Sequence, residues 1–392
     1  MTVGAPQPAD LQPLPLQALH IANGAHMAPF AHYQMPLHYA AGVLREHLHT
    51  RAAASLFDVS HMGQLRVRPL PGGTAADAAR ALESLMPIDV LSLQPLRARY
   101  ALLTTPSGGI SDDLVLVNYG AFFLAIVNAA CKHADVRYLR EQLSDRCRIE
   151  TLADRVLLAL QGPRAAEVLA RLEPRVMQMR FLDAAQFMLA GAADGADAAD
   201  AACWVMRSGY TGEDGFEISA PVTVGAELAQ RLLSDPQVRL AGLGARDSLR
   251  LEAGLCLYGS DLDTTTTPVQ AALEWAIPAV RRRGGERPGG FPGDALIAQQ
   301  LAHGAAERRV GLRSDQRPVR AGAMLYADEN AATSVGRVTS GGFGPSVNAP
   351  IAMGYVPATL ARPGGRLYAQ LGHRRYAVTV SALPFVEHRY RR

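Results

Sequence analysis

Three stretches combine residue types that can do chemistry. In GGISDDLVLVN (108–118), two carboxylates, Asp112 and Asp113, stand side by side where a glycine turn opens an apolar run. In RSGYTGEDGFEIS (207–219), Tyr210 and Thr211 precede an acidic, glycine-rich turn, and Phe216, Glu217 and Ile218 resume a strand pattern. In GLGARDSLRLEAGLCLYGSDLD (242–263), Arg246, Asp247, Arg250 and Glu252 load one end of an apolar helix, and the four-residue spacing puts Arg246 and Arg250 on one face. Burying a carboxylate is costly, so the adjacent aspartates call for a reason. Neighbouring strand side chains point to opposite faces, and the two therefore cannot do the same job. Asp112 goes with Leu114 and Leu116, and Asp113 with Val115 and Val117. One of the pair can hold the amides of nearby backbone while the other faces a cavity.

Each stretch also has a purely structural reading. Asp112 and Asp113 can be turn residues bonded to backbone. Glu217 can be a solvent-facing strand residue, Arg246 and Asp247 an ion pair at a helix start, and His61 in FDVSHMGQL a core or turn histidine. Several chemistries find no support. No two histidines have HxxH or HExxH spacing, no GxGxxG or GxxxxGK[ST] follows a strand, and no GxSxG elbow is present. Cys131, Cys147, Cys203 and Cys256 form no CxxC pair, which argues against zinc or iron–sulfur ligation, and no metal is expected.

The elements that must position these residues follow from periodicity. GQLRVRPL (63–70) alternates as a strand, and TAADAARALESLMP (74–87) has helical spacing with Pro87 as the stop. Residues 98–118 predict two strands joined by a Pro-Gly turn; 121–128 predicts another strand and 133–143 a helix. RVLLALQGP (155–163) reads as a buried strand, and the RAAEVLARL that follows as a helix. This order predicts an α+β fold, with helices on one side of mostly antiparallel sheets. Residues 190–204, rich in alanine and glycine, predict a surface hairpin. RRRGGERPGGFPG (281–293) predicts a linker whose Arg281–Arg283 run is a solvated face. Beyond it, short strands separated by turn residues predict a C-terminal β-barrel over 294–392. Residues 1–15, with four prolines, are expected to be a flexible tail, leaving 16–280 as the main body.

Composition bounds the function class. At 392 residues the chain exceeds the ~250–300 at which a single core stops growing. A net charge of +3 is small for that length and points to neither nucleic acid nor a membrane surface as partner. No apolar run approaches the ~18 residues of a membrane helix. Scattered cysteines and the lack of a basic residue before Arg45 lead us to expect a cytoplasmic protein.

In order along the chain, MPLHY (35–39), FDVSHMG (57–63), GGISDDLVLVN (108–118), LALQGP (158–163), GYTGEDGFEI (209–218), GLGARDSLRLEAGLCLYGSDLD (242–263), TPVQAALEWAI (267–277), VTSGGFGPSV (338–347) and IAMGYVP (351–357) resemble the aminomethyltransferase family, the T-proteins of the glycine cleavage system. The resemblance runs from about residue 13 to 388. It implies a three-lobed fold around a folate channel, with a barrel as the last lobe. It implies transfer of an aminomethyl group from the lipoyl arm of a partner, the H-protein, to tetrahydrofolate, giving 5,10-methylene-tetrahydrofolate and ammonia. By the same resemblance Asp113 is the catalytic carboxylate near folate N10 and Asp112 is structural. Glu217 is implied as the pterin ligand, Arg246 and Tyr210 as folate contacts, Met62, Tyr100 and Val115 as pocket lining, and Trp275 and Tyr390 as further folate contacts.

One segment departs from the family pattern. Where relatives read like KMVDFAGWEMP, this chain has HMAPFAHYQMP (26–36). That departure supports an alternative, a folate-dependent demethylase of the same fold acting on a small methylated compound. Non-catalytic folate-binding relatives in iron–sulfur assembly carry a KGCYxGQE-like loop; the cysteine-free RSGYTGEDG disfavours that reading.

Overall fold

The computed structural model describes residues 11–189 and 202–392. Two sheets and a barrel organise the chain. Strands Arg97–Thr104, Ile110–Asn118, Phe123–Val127, Gly63–Pro69 and Cys147–Thr151 form a five-stranded antiparallel sheet. A six-stranded sheet runs in the order Ala184–Phe187, Cys203–Met206, Gly215–Pro221, Arg155–Gln161, Ala54–Asp58 and Val238–Leu240; only its last pair is parallel. Glu307–Arg313, Ala349–Pro357, Gly336–Gly344, Met324–Tyr326, Arg366–Leu371 and Arg374–Ser381 close into a six-stranded barrel. The α+β reading and the C-terminal barrel both hold.

Alternation along each strand assigns its faces. In Ile110–Asn118, Leu114 and Leu116 join a core built with helices Ala75–Glu83 and Lys132–Leu143, while Val115 and Val117 face a second core shared by both sheets. This shared core contains Phe57, Leu124, Ala159, Trp204 and Leu249. A third core lies beneath helices Ala165–Ala170 and Val222–Leu233. Burying one large apolar side chain is worth about 1.5–3 kcal/mol, so these three clusters dominate the favourable side of folding.

Local signals set the element limits. Thr74 and Asp77 form a reciprocal capping box at the start of Ala75–Glu83. That helix ends before the predicted residue 87, because the Glu83 carboxylate accepts hydrogen bonds from the amides of Val90 and Leu91 and folds the following residues back. Gly108, at φ +82°, makes the turn before the adjacent aspartates, and a Cβ on Gly109 would lie 1.9 Å from the Thr264 carbonyl oxygen.

Residues 281–293 differ from the solvated linker expected. Arg281 is buried; it donates to the carbonyls of Glu83 and Gly289 and pairs with the Glu83 carboxylate, while Arg287 bridges Glu83 and Asp89. Glycine and proline here shape a packed strap, because arginine can satisfy several carbonyls at once. Of the expected tail, residues 1–10 lie outside the described residues. Residues 11–15 are held: Gln12 exchanges backbone hydrogen bonds with His32 and Gln34, and Leu14 is buried. Of the predicted 190–204 hairpin, 190–201 also lies outside the described residues, and Cys203 and Trp204 belong to a buried strand. Among the described residues, no helix is long and apolar enough to cross a membrane.

The barrel is attached through buried polar contacts. Asp261 accepts from Arg250 Nη1 at 2.8 Å, Thr339 Oγ1 at 2.5 Å and Ser340 Oγ at 2.8 Å, joining the Leu243–Glu252 helix to the barrel. Burial opposes ionisation of Glu252, but hydrogen bonds from His47 and Ser346 outweigh it and hold the carboxyl at about 2. Asp261→Ala would leave the buried Arg250 guanidinium with only the exposed Asp247 carboxylate and would remove an acceptor from two hydroxyls, at an expected cost of about 3 kcal/mol. Denaturant unfolding checks this; an unchanged midpoint would show that the contact carries little stability. The chain then turns back along the body. Arg389 N bonds the Gly212 carbonyl and Phe181 N bonds that of Arg391, which brings the C-terminal residues beside the two sheets.

Candidate active site

The two aspartates part as the strand requires. Asp112 is 0% exposed, on the helix side; its Oδ2 accepts from the Asn128 backbone N–H at 3.0 Å and its Oδ1 from Asn128 Nδ2 at 2.8 Å. Asp113 points to the side shared by both sheets. Its Oδ2 accepts from the Tyr100 hydroxyl and its Oδ1 from Asn128 Nδ2, both at 2.9 Å. Burial, and then the charge of Asp112, push the Asp113 carboxyl up to about 7. Burial and Asp113 raise the Tyr100 hydroxyl well above its ordinary range, so it remains a donor. Tyr100 stacks on Trp275 with centroids 5.2 Å apart, and Trp275 is 65% exposed at the rim. Val115 lies across from Tyr100 in the strand register, and Val115 and Met62 each pack against the shared core.

A second polar group comes from the six-stranded sheet. Glu217, on the Gly215–Pro221 strand, accepts a hydrogen bond from Ser208 Oγ at 2.7 Å. The Arg246 guanidinium lies 4.6 Å from the centroid of the Tyr210 ring, a cation–π contact. Burial lowers Arg246, while Tyr210 and Glu217 favour its charge. The Tyr210 hydroxyl donates to the Cys256 carbonyl, which fixes the ring as a wall. Tyr390 stacks on Phe181 at 4.1 Å; burial raises its hydroxyl to about 12, with Glu217 among the nearby charges. Long-range contacts link the groups: the Asp113 charge is felt at Tyr210, and Tyr210 stands beside Arg246.

Some readings change. Asp247 pairs with Arg250, at 2.7 Å, and not with Arg246. The shared helix face of Arg246 and Arg250 divides in function, since Arg250 turns to Asp261 and the barrel. His61 is 2% exposed; burial, then Arg246, push it down to about 3, so it is a neutral imidazole. Asn128 escaped the sequence reading altogether. Its only local signal is a polar residue ending the AFFLAIVN strand.

The GCVT N-terminal domain family matches residues 16–281, and the family of the glycine cleavage T-protein C-terminal barrel domain matches 307–387. The chain belongs to the aminomethyltransferase family. It is similar to the mitochondrial aminomethyltransferases of Homo sapiens, at 40% identity over 97% of this chain and 91% of the relative, and of Gallus gallus, at 41% over 98% and 94%. Among solved structures it resembles the glycine cleavage system aminomethyltransferase T from Bartonella henselae, with a TM-score of 0.87 and 42% identity over 97% of this chain and all of that one. It is an enzyme of the aminomethyltransferase type, and its two sheets and barrel are those of the family.

Proposed function

We propose that this aminomethyltransferase moves the aminomethyl unit from the lipoyl arm of an H-protein to tetrahydrofolate. In the overall step the carbon leaves sulfur and its amine. It bonds to folate N5 and N10, and the two N–H protons go to the departing sulfur and to ammonia. Positive charge develops on carbon and nitrogen as these bonds exchange. A carboxylate fixed beside that charge stabilises it without moving, which is the most effective kind of electrostatic help.

The observation that carries this reading is Asp113, held between Tyr100 and Asn128 on the strand face that, through Val115 and Val117, looks toward the six-stranded sheet. Glu217 is suited to accept two adjacent N–H groups of the pterin edge, with Ser208 fixing its other side. Arg246 offers a forked donor beside it, and Tyr210, Met62, Val115, Trp275 and Tyr390 supply apolar and aromatic walls. No step in this scheme calls on a metal. Four buried, unpaired cysteines support a cytoplasmic setting for the reaction, although the relatives named above are mitochondrial.

The test is formation of 5,10-methylene-tetrahydrofolate with aminomethylated H-protein and without it. Turnover only with the loaded H-protein supports the reading. Turnover with a free methylated amine in its place supports the demethylase alternative. That alternative draws on the His26–Phe30 and Tyr33–His38 hairpin, where Tyr33 replaces a tryptophan and accepts from Lys132. Since Asp113 titrates near 7 and acts when ionised, kcat/KM is expected to rise with pH through about 7 and then level off. A pH–rate profile flat from 5.5 to 8.5 would contradict that role.

A further inference from the structure

Behind Asp113 lies a second acidic group that the transfer itself does not use. Asp135 stands on the first turn of the Lys132–Leu143 helix, where its backbone N–H bonds the Cys131 carbonyl at 2.9 Å. Its side chain is 4% exposed and faces the Asp112 carboxyl, and its Oδ2 has no partner among the described residues. No basic side chain of the described residues pairs with either carboxyl. Two buried carboxyls in contact, with no cation between them, cannot both be ionised, so they share one proton. Burial, and then the Asp112 charge, push Asp135 well up, which places the proton there.

Asp112 is the better anion of the two because it also accepts from Asn128 N and Nδ2. The same Nδ2 lies 2.9 Å from Asp113 Oδ1. The amide that steadies Asp113 is thus itself aimed by Asp112. We propose that Asp135 is a positioning residue of this site: it carries the proton of a buried acid–carboxylate pair, keeps Asp112 an anionic acceptor, and so holds the Asn128 amide onto Asp113. The charge left on Asp112 also disfavours a second charge on Asp113, so the pair sets the pH range in which Asp113 works.

The other groups facing this pair stay fixed near neutral pH. Tyr100, Tyr210 and Cys256 face Asp113, while Cys131 and Tyr258 face Asp112; burial raises all five, and they remain protonated.

The inference rests on Asp113 facing the folate, and the experiment separates the two claims. Asp135→Asn keeps a donor toward Asp112, so its pH–rate profile and kcat should match wild type within about 3-fold. Asp135→Ala removes the donor, and Asp112 takes up the proton itself. The acid limb then moves down by about 1 pH unit, and kcat falls about 10- to 100-fold with the KM for tetrahydrofolate little changed. An Ala variant with the wild-type profile, or an Asn variant as impaired as Ala, would overturn the proposal. Infrared spectroscopy of the wild-type protein in heavy water at pH 8 reads the pair without any turnover. A protonated-carboxyl band that Asp135→Asn lacks is expected; a wild-type protein without that band refutes the shared proton. Wild-type protein inactive with loaded H-protein, yet showing the band, would overturn the proposed function and leave the acid pair standing.

Discussion

Asp113→Asn is expected to lower kcat by about 10²–10³ while leaving the dissociation constant of tetrahydrofolate within about 2-fold, since that is the usual loss when one preorganised electrostatic group is removed. The amide is isosteric and can still bond both neighbours. Its oxygen can accept from Asn128, and its NH₂ can donate to the Tyr100 hydroxyl oxygen. Only the charge is lost, so binding and turnover should separate. Stopped-flow turnover with loaded H-protein, beside calorimetric titration of the folate, measures both; undiminished turnover would remove the electrostatic mechanism. A stability change should accompany the loss. The folded-state value of Asp113 is raised from 3.8 to about 7, so its stabilising contribution is present below the unfolded value and is lost as pH rises through 7. The amide does not titrate. The variant should therefore melt higher than wild type at pH 8, with the difference shrinking or reversing at pH 5.

Glu217→Ala acts on binding. Loss of the pterin's acceptor is expected to weaken tetrahydrofolate affinity by about 2 kcal/mol, or roughly 30-fold, because a buried polar edge is left unpaired. The same change removes the carboxylate that favours the Arg246 charge, so both ends of this polar group suffer. Calorimetry gives the answer directly, and unchanged affinity would take Glu217 out of the folate site. At saturating folate, kcat should fall much less than in Asp113→Asn, which distinguishes a binding group from one that meets the transition state.

The sequence carried the faces of the strand at 110–118. Period-two alternation alone separates Asp112 from Asp113, and Leu114 and Val115 indeed enter different cores. The glycines before it announce a turn, and Gly108 has the positive φ that such a turn demands. What stayed hidden depends on partners far along the chain. Asn128 matters because it bridges two residues 15 and 16 positions earlier, and no local pattern encodes that. Arginine in 281–293 reads as solvated until Glu83, 198 residues away, is known to wait for it. Asp247 chose Arg250 over its neighbour Arg246 because residues three apart on a helix share a face, whereas adjacent ones do not. Tyr390 lies against Phe181 and near Glu217 because the tail is anchored by backbone hydrogen bonds at Gly212 and Phe181, which leave no mark in composition.

The most direct measurement is a structure of this protein with bound tetrahydrofolate. The account predicts the pterin edge on the Glu217 carboxylate and the N10 end of the ligand against the Asp113 carboxylate, with Asp112 still turned to Asn128. A folate bound without contact to Asp113, or lodged away from the space between the two sheets, would contradict it.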